Sequence, residues 1–287
     1  MEHMTASVLN SYLLDCKVRQ LSLKTIQSYR EVLTQFTDWC GPISMDDVTP
    51  DLLRKYIVEQ DHRTDGGKFL IYRYLRTFFN WWEQETDGRW TPPTRKVKAP
   101  RHKFKVLPSI PLEDVQSMVN TCKDEFYGPR DKAILLILLD TGVRANPLLN
   151  VDIDHVDATM GVLTVTSKGD KVRSIYLGKR TRKALRAWIR TRQDVRPLFT
   201  TKSAVRLGYS GLRLMLGRRA QLAGVERPTA HSFRRAFAIT MLRSGVDIFT
   251  LARLMNHSDT RTLIHYLDIL VSDIELAHRR HSPVDNL

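Results

Sequence analysis

Six side chains in the second half of this sequence have the types and order suited to work on an anion: Arg144, Lys168, His231, Arg234, His257 and Tyr266. Guanidinium and ammonium groups hold anions, imidazoles move protons near neutral pH, and a phenol can act as a nucleophile. His231 and Arg234 are three residues apart, which puts them on one face of a helix. His257 and Tyr266 are nine apart. Singly, each is ordinarily something plainer. A lone arginine is a surface charge, a lone histidine a satisfied structural group, a lone tyrosine part of a core or its rim. Their meaning rests on the set, and on the elements that carry them.

Arg144 follows RDKAILLILLDTG, a buried helix that Gly142 ends, and Asn146-Pro147 predicts the cap and first residue of a short helix just beyond it. Lys168 rides the tip of the clearest hairpin, GVLTVTSKGDKVRSIYLG, where Gly169-Asp170 supplies turn chemistry. HSFRRAFAITMLRSG predicts a helix from His231 to a glycine cap at Gly245. A short helix is expected over 247–255, then a turn at Asn256-His257-Ser258 with Ser258 as N-cap, then a helix with Tyr266 near its end. Around these lie a helix from Leu112, a reset at Gly128-Pro129, a basic amphipathic helix over 180–192 and a helix over 210–223 closed by Gly224. A last amphipathic helix is expected near 274–280.

The first third carries helical periodicity and no strand signal. Ser22 predicts the cap of a helix with Ile26, Tyr29, Leu33 and Phe36 on one face, ended by Gly41-Pro42. Thr49-Pro50 opens the next. Asp65-Gly66-Gly67 predicts a turn before KFLIYRYLRTFFNWWEQE. An all-helical module of about four helices is expected. Its exposed basic positions, Lys24 and Arg30 on one helix and Arg73 and Arg76 on another, are candidate contacts to nucleic acid. Residues 87–111 then break all periodicity with five prolines, and 95–105 hold six Lys/Arg and no acid. This predicts an extended, stiff, basic linker, with Lys96, Lys98 and Lys103 placed to cross a phosphate backbone. The expected division is 1–90, a linker over 91–107, and 108–287.

Composition supports a polyanionic partner. The 287 residues carry 45 Lys+Arg against 31 Asp+Glu, a net charge of +14. That excess favours nucleic acid or an anionic membrane face. The longest apolar run, AILLILL, is far too short to span a bilayer, and MEHMTASVLN lacks a signal pattern, so a membrane loses ground. Cys16, Cys40 and Cys122 have neither metal-site nor disulfide-framework spacing. They fit thiols in a reducing compartment, and a cytoplasmic, nucleoid-associated protein is expected.

In order and spacing the six residues resemble the tyrosine recombinase family of phage integrase, Xer and Cre-like enzymes. Arg144 stands in TGVRANPLL, Lys168 in TSKGDKVRSIYL, His231 and Arg234 in HSFRR, and His257 and Tyr266 in MNHSDTRTLIHYL. The resemblance covers about 108–287 firmly and 5–86 more loosely, where SLKTIQSYREVLTQFTDW and DDVTPDLLRKYI look like the family's core-binding domain. It implies two domains: an N-terminal all-α core-binding bundle and a mixed, mainly-α catalytic domain with a small antiparallel β-sheet.

It also implies a reaction. Tyr266 attacks a DNA phosphodiester, forms a 3′-phosphotyrosyl bond and releases a 5′-hydroxyl. Arg144 and Arg234 clamp the non-bridging oxygens, Lys168 protonates the leaving oxygen, His231 accepts or positions the tyrosine proton, and His257 hydrogen-bonds the phosphate. No metal or other cofactor is implied. The partners implied are duplex DNA with inverted-repeat core sites and a homotetramer on two sites, joined by exchange of a C-terminal helix bearing Ile274, Leu276 and Ala277, with possible accessory proteins. The short stretch before residue 5 favours a simple Xer-like or small mobile-element enzyme. A type IB topoisomerase and a catalytically silent DNA-binding regulator are the rivals. The sequence departs from the family's pattern at Pro147, where an acid is common, at Asn256, where Gly is usual, and at Asp268, where His is frequent. These departures predict a site completed only on DNA or in the tetramer.

Overall fold

Side-chain caps at Ser22, Thr49, Thr64, Thr229 and Asp247 start helices in a computed structural model of the chain, which describes residues 4–102, 108–123, 126–167, 171–256, 282 and 284. The chain divides into two units, Met1–Lys105 and Val106–Leu287.

In the first unit, α1 (Thr5–Val18), α2 (Leu23–Cys40), α3 (Pro50–Val58) and α4 (Asp65–Glu85) form a helical bundle. Ser22 accepts from the Thr25 amide and Thr49 from the Leu52 amide, each at 3.2 Å, so two of the helix starts fall where the cap residues place them. The start of α4 differs from expectation. Thr64 accepts from the Gly67 amide at 3.2 Å, so Asp65-Gly66-Gly67 is the first helical turn rather than a separate one. A cap one residue upstream and a carboxylate in the first turn outweigh the helix cost of two glycines. The core is aromatic: Tyr12 meets Phe78 edge-on at 5.3 Å, and Phe36 meets Tyr56 at 5.0 Å.

Residues 91–102 correct the expectation of an extended tether. Thr94 and Val97 are buried, and Tyr72 Oη donates to the Val97 carbonyl at 2.7 Å. Trp90 Nε1 donates to the Met45 carbonyl at 3.0 Å, Arg95 pairs with Glu83, and His102 stacks on Phe69. The prolines break helical periodicity, but the apolar side chains between the charges pack the strap onto the bundle.

In the second unit, α6 (Tyr127–Thr141) runs through the core. Its residues 133–138 are buried all round, and it packs against α5 (Leu112–Asn120), α8 (Lys179–Thr191) and α10 (Ala230–Arg243). Gly128-Pro129 lies inside its first turn, where proline is tolerated, rather than ahead of it. The short α7 (Ala145–Leu149) follows, then α9 (Tyr209–Ala223) and α11 (Ile248–Met255). The antiparallel sheet holds β1 (Val156–Asp157), β2 (Val162–Ser167) and β3 (Lys171–Tyr176) in sequence order. The β2–β3 hairpin stands as expected, with Ser167 opposite Lys171, while β1 is an addition too short to show in sequence.

At the N-terminal end of α6, Asp131 is fully buried among arginines. It accepts from Arg130 Nη2 at 2.7 Å, Arg218 Nη2 at 2.7 Å and Arg219 Nε at 2.8 Å. Arg130 and Arg219 donate onward to the Thr200 and Thr121 carbonyls, tying α6 and α9 to two loops. Such a network is costly to break at one member, because the remaining charges stay buried. Asp131→Asn is expected to lower unfolding free energy by about 3–5 kcal/mol, checked by urea denaturation. A loss below about 1 kcal/mol would show that the cluster is not a structural node.

Candidate active site

Arg144 is the N-cap of α7, two residues earlier than the Asn146-Pro147 pair suggested. Gly142 ends α6 in the left-handed region at φ 57°, and a Cβ there would stand 2.5 Å from the Phe237 ring. Glycine therefore permits both the turn and the close packing that deliver Arg144 to the surface. Its side chain is exposed, and Nη1 donates to the Asn256 carbonyl at 3.4 Å.

His231 and Arg234 sit in the first turns of α10. Thr229 and Ser232 cap that helix reciprocally, and this fixes the phase of the helix and so the face both residues share. Arg234 is only 1% exposed, and it donates from Nη1 to the Gly142 carbonyl and from Nη2 to the Met255 carbonyl at 2.8 Å. The next residue, Arg235, points elsewhere: Nε and Nη2 hold the Pro108 carbonyl at 3.0 and 2.8 Å, pinning the entry to the unit.

A residue outside the six joins them. Arg173 of β3 donates from Nη1 to the Leu254 carbonyl at 2.6 Å. Arg173, Arg234 and Arg144 thus take the carbonyls of Leu254, Met255 and Asn256, three successive residues at the end of α11. Asn256 itself is left-handed, at φ 51° and ψ 54°. Asparagine is the usual second choice to glycine in that region, so the residue here meets the turn's requirement. Pro147 lies in the first turn of α7, where its missing N–H has no helical partner to lose.

The electrostatics are those of an anion site. Partial burial, then the charges of Arg235, Arg234 and Arg144, hold the His231 imidazole below its ordinary pKa, although the residue keeps contact with solvent. Burial and Arg144 likewise push the Arg173 guanidinium down. Among the described residues, no carboxylate pairs with Arg144 or Arg173. None of the described residues form a cluster of His, Cys, Asp or Glu able to hold a metal ion.

The structure therefore brings Arg144 and Arg234 to the end of α11, immediately before His257 in the chain, with His231 within electrostatic reach of both arginines. Lys168, His257 and Tyr266 lie outside the described residues, as do Lys103 and the expected tail helix. Lys24, Arg30, Arg73, Arg76, Lys96 and Lys98 are exposed on the first unit. Arg173 was missed because nothing in its local pattern distinguishes it from a solvated strand cation. Strand parity would not have found it either: it shares a face with Ile175, but the apolar Val172 and Tyr176 lie on the other.

Residues 109–272 match the model of the phage integrase family. The chain belongs to that family. It is thus a tyrosine recombinase, an enzyme that exchanges DNA strands. It is 28% identical over 272 residues to the tyrosine recombinase XerC of Alcanivorax borkumensis, covering 91% of this chain and 88% of that one. It is 29% identical over 290 residues to XerC of Pseudomonas putida KT2440, covering 91% and 92%. Its fold is similar to a lambda integrase fragment solved as a dimer on a COC′ core site, with TM-score 0.76, 17% identity, and 92% and 95% of the two chains covered. It is also similar to the XerH recombinase solved on palindromic difH substrate after cleavage, with TM-score 0.74, 17% identity, and 94% and 82% covered. No described helix is long and apolar enough to cross a membrane.

The charges around His231 can be tested without any substrate. Its NMR titration midpoint is expected below the ordinary 6.5, and Arg144→Ala should raise it. Between the two midpoints the unfolded chain binds the extra proton, so His231's contribution to stability falls as pH drops below the unfolded value. A midpoint at or above 6.5 would contradict the geometry.

Proposed function

We propose that this recombinase cleaves DNA through Tyr266, with Arg144, Arg234, His231, His257 and Lys168 as its supporting groups. The observation that carries the assignment is the convergence of Arg144 and Arg234, from two elements, on the segment that leads into His257, with His231 under the electrostatic influence of both. The phenol oxygen attacks phosphorus and the bond to the 5′-oxygen breaks. His231, held neutral near pH 7, takes the phenol proton, and Lys168 gives one to the departing oxygen. Arg144 and Arg234 oppose the charge that builds on the non-bridging oxygens, and His257 adds a hydrogen bond. The phosphotyrosyl bond conserves the energy of the original linkage, so a 5′-hydroxyl from a second duplex can displace the tyrosine without nucleotide hydrolysis.

The partner is duplex DNA with inverted-repeat core sites, bound by four protomers on two sites, with room for accessory proteins. Structures of similar fold solved on DNA support the nucleic acid: lambda integrase on a core site, XerH on difH, and the Tn1549 integrase on a circular-intermediate DNA. The exposed Lys24, Arg30, Arg73, Arg76, Lys96 and Lys98 supply backbone contacts to it.

The test is a nicked suicide substrate carrying candidate sites from DNA flanking the gene. Wild-type protein is expected to form a covalent adduct, which Tyr266→Phe abolishes while DNA binding stays. Arg144→Ala and Arg234→Ala should each slow cleavage by roughly 10²–10³-fold. No adduct on any DNA would favour a silent regulator, and an adduct without strand exchange a relaxing enzyme. Separately, replacing lysines or arginines of the first unit that neutralise phosphates should flatten the plot of log affinity against log salt, by about 0.9 in slope per phosphate left unneutralised. An unchanged slope in Lys24→Ala/Arg30→Ala/Arg73→Ala/Arg76→Ala would remove those residues from the interface.

A further inference from the structure

Arg173 is in none of the catalytic roles above, yet it joins the hairpin to the end of α11. It lies opposite Val165 in the β2–β3 register, two residue pairs from the Ser167–Lys171 pair that closes the described hairpin. Val165 and Ile175 beside it are buried, whereas Val172 and Tyr176 on the other face are exposed. The guanidinium is therefore carried inward from the strand. There it meets the Leu254 carbonyl at 2.6 Å and lies near the Arg144 guanidinium. Its Nε is buried and has no hydrogen-bond partner among the described residues. A cation placed against another cation, with one donor unanswered, is not the lowest-energy use of an inward strand position. The position has a use if it fixes the hairpin stem to α11.

We propose that Arg173 is a positioning residue that latches the β2–β3 hairpin to the C-terminal end of α11, and through it places Lys168 relative to the attacked phosphate. This rests on the assignment of Lys168 as the proton donor. The latch has one end in the strand that leaves the hairpin turn and the other at the Leu254 carbonyl, next to the carbonyls held by Arg234 and Arg144. A charge-assisted bond from mid-strand to a helix end fixes the stem of the hairpin against that helix. Without the latch, proton delivery to the leaving oxygen should be impaired, while phosphate binding by Arg144 and Arg234 remains.

A leaving-group substitution separates these steps. In DNA with sulfur in place of the bridging 5′-oxygen at the mapped cleavage site, the leaving thiolate departs without protonation, because thiols are far more acidic than alcohols. Arg173→Met and Arg173→Lys are compared with wild type, Lys168→Ala and Arg144→Ala, each first checked for an unaltered melting transition and DNA affinity. With the oxygen substrate, Arg173→Met is expected to cleave at least ~10-fold more slowly, and Arg173→Lys, which keeps one charged donor, less so. With the sulfur substrate, Arg173→Met and Lys168→Ala should both return to within about threefold of wild type, whereas Arg144→Ala stays slow. If Lys168→Ala is rescued but the Arg173 variants remain slow, or if they cleave normally on oxygen, the latch is overturned. If Lys168→Ala is not rescued, the failure belongs to the proton-donor assignment. If Arg173→Met melts early, the milder Arg173→Lys carries the same comparison, and its rescue or non-rescue decides in the same way.

Discussion

The last carbonyls of a helix have no partner within it, and at the end of α11 three of them fall to three arginines. Each bond works in both directions. The guanidinium satisfies a carbonyl at the negative end of a helix, and the carbonyl fixes a cation that would otherwise sample many rotamers. Because Arg144, Arg173 and Arg234 come from three separate elements, the end of α11 is where their positions become mutually defined. The arrangement carries an electrostatic cost. Beyond the effect of burial, Arg144 depresses Arg173, and Arg235, Arg234 and Arg144, in that order of influence, depress His231. An entering phosphate relieves that repulsion, so the cluster is organised for an anion before one arrives.

Helix α6 makes the arrangement rigid. Its N-terminal end holds Asp131 and the arginine network around it, and its C-terminal end supplies Gly142, whose carbonyl receives Arg234. Between them residues 133–138 are apolar and buried on every side, so this stretch has neither a solvent face to fray nor a free direction to shift. Gly142 is packed against Phe237 of α10, the helix that also carries His231 and Arg234. The turn that releases Arg144 and the helix that presents Arg234 are thereby in direct contact. A shift of one displaces the other.

Much of this was legible because helix caps and glycine turns are local. Ser22, Thr49, Gly142 and Gly224 each act within a few residues, and each lies at a helix end in the structure. What escaped mostly depends on contacts remote in sequence. Thr64 is the exception: it reaches only the Gly67 amide, yet two glycines masked its cap. Arg173 finds its carbonyl 81 residues away, and in KVRSIY the apolar Val172 and Tyr176 point to solvent while the arginine points in. Hydrophobic alternation alone assigns that strand the wrong inward face. Residues 91–102 misled similarly: charge and proline dominate their composition, but Thr94 and Val97, with Trp90 just ahead of them, decide their placement. The order of the six family residues showed which groups belong together, but it carried no information on what holds them there.

The substitution of Asn256 for the family's usual glycine illustrates the difference. Judged by residue type, it loses freedom at a turn beside the site. Judged by backbone, the requirement is a left-handed residue that stops α11 while leaving its final carbonyls exposed to the arginines, and φ 51° and ψ 54° meet it. Asparagine enters that region at a smaller penalty than other L-residues, because its short amide can bond locally. A β-branched residue would resist the turn and move the carbonyls of Leu254 and Met255 away from Arg173 and Arg234. The constraint is therefore on conformation, and the arginines enforce it from the other side, since their bonds form only when the helix ends there.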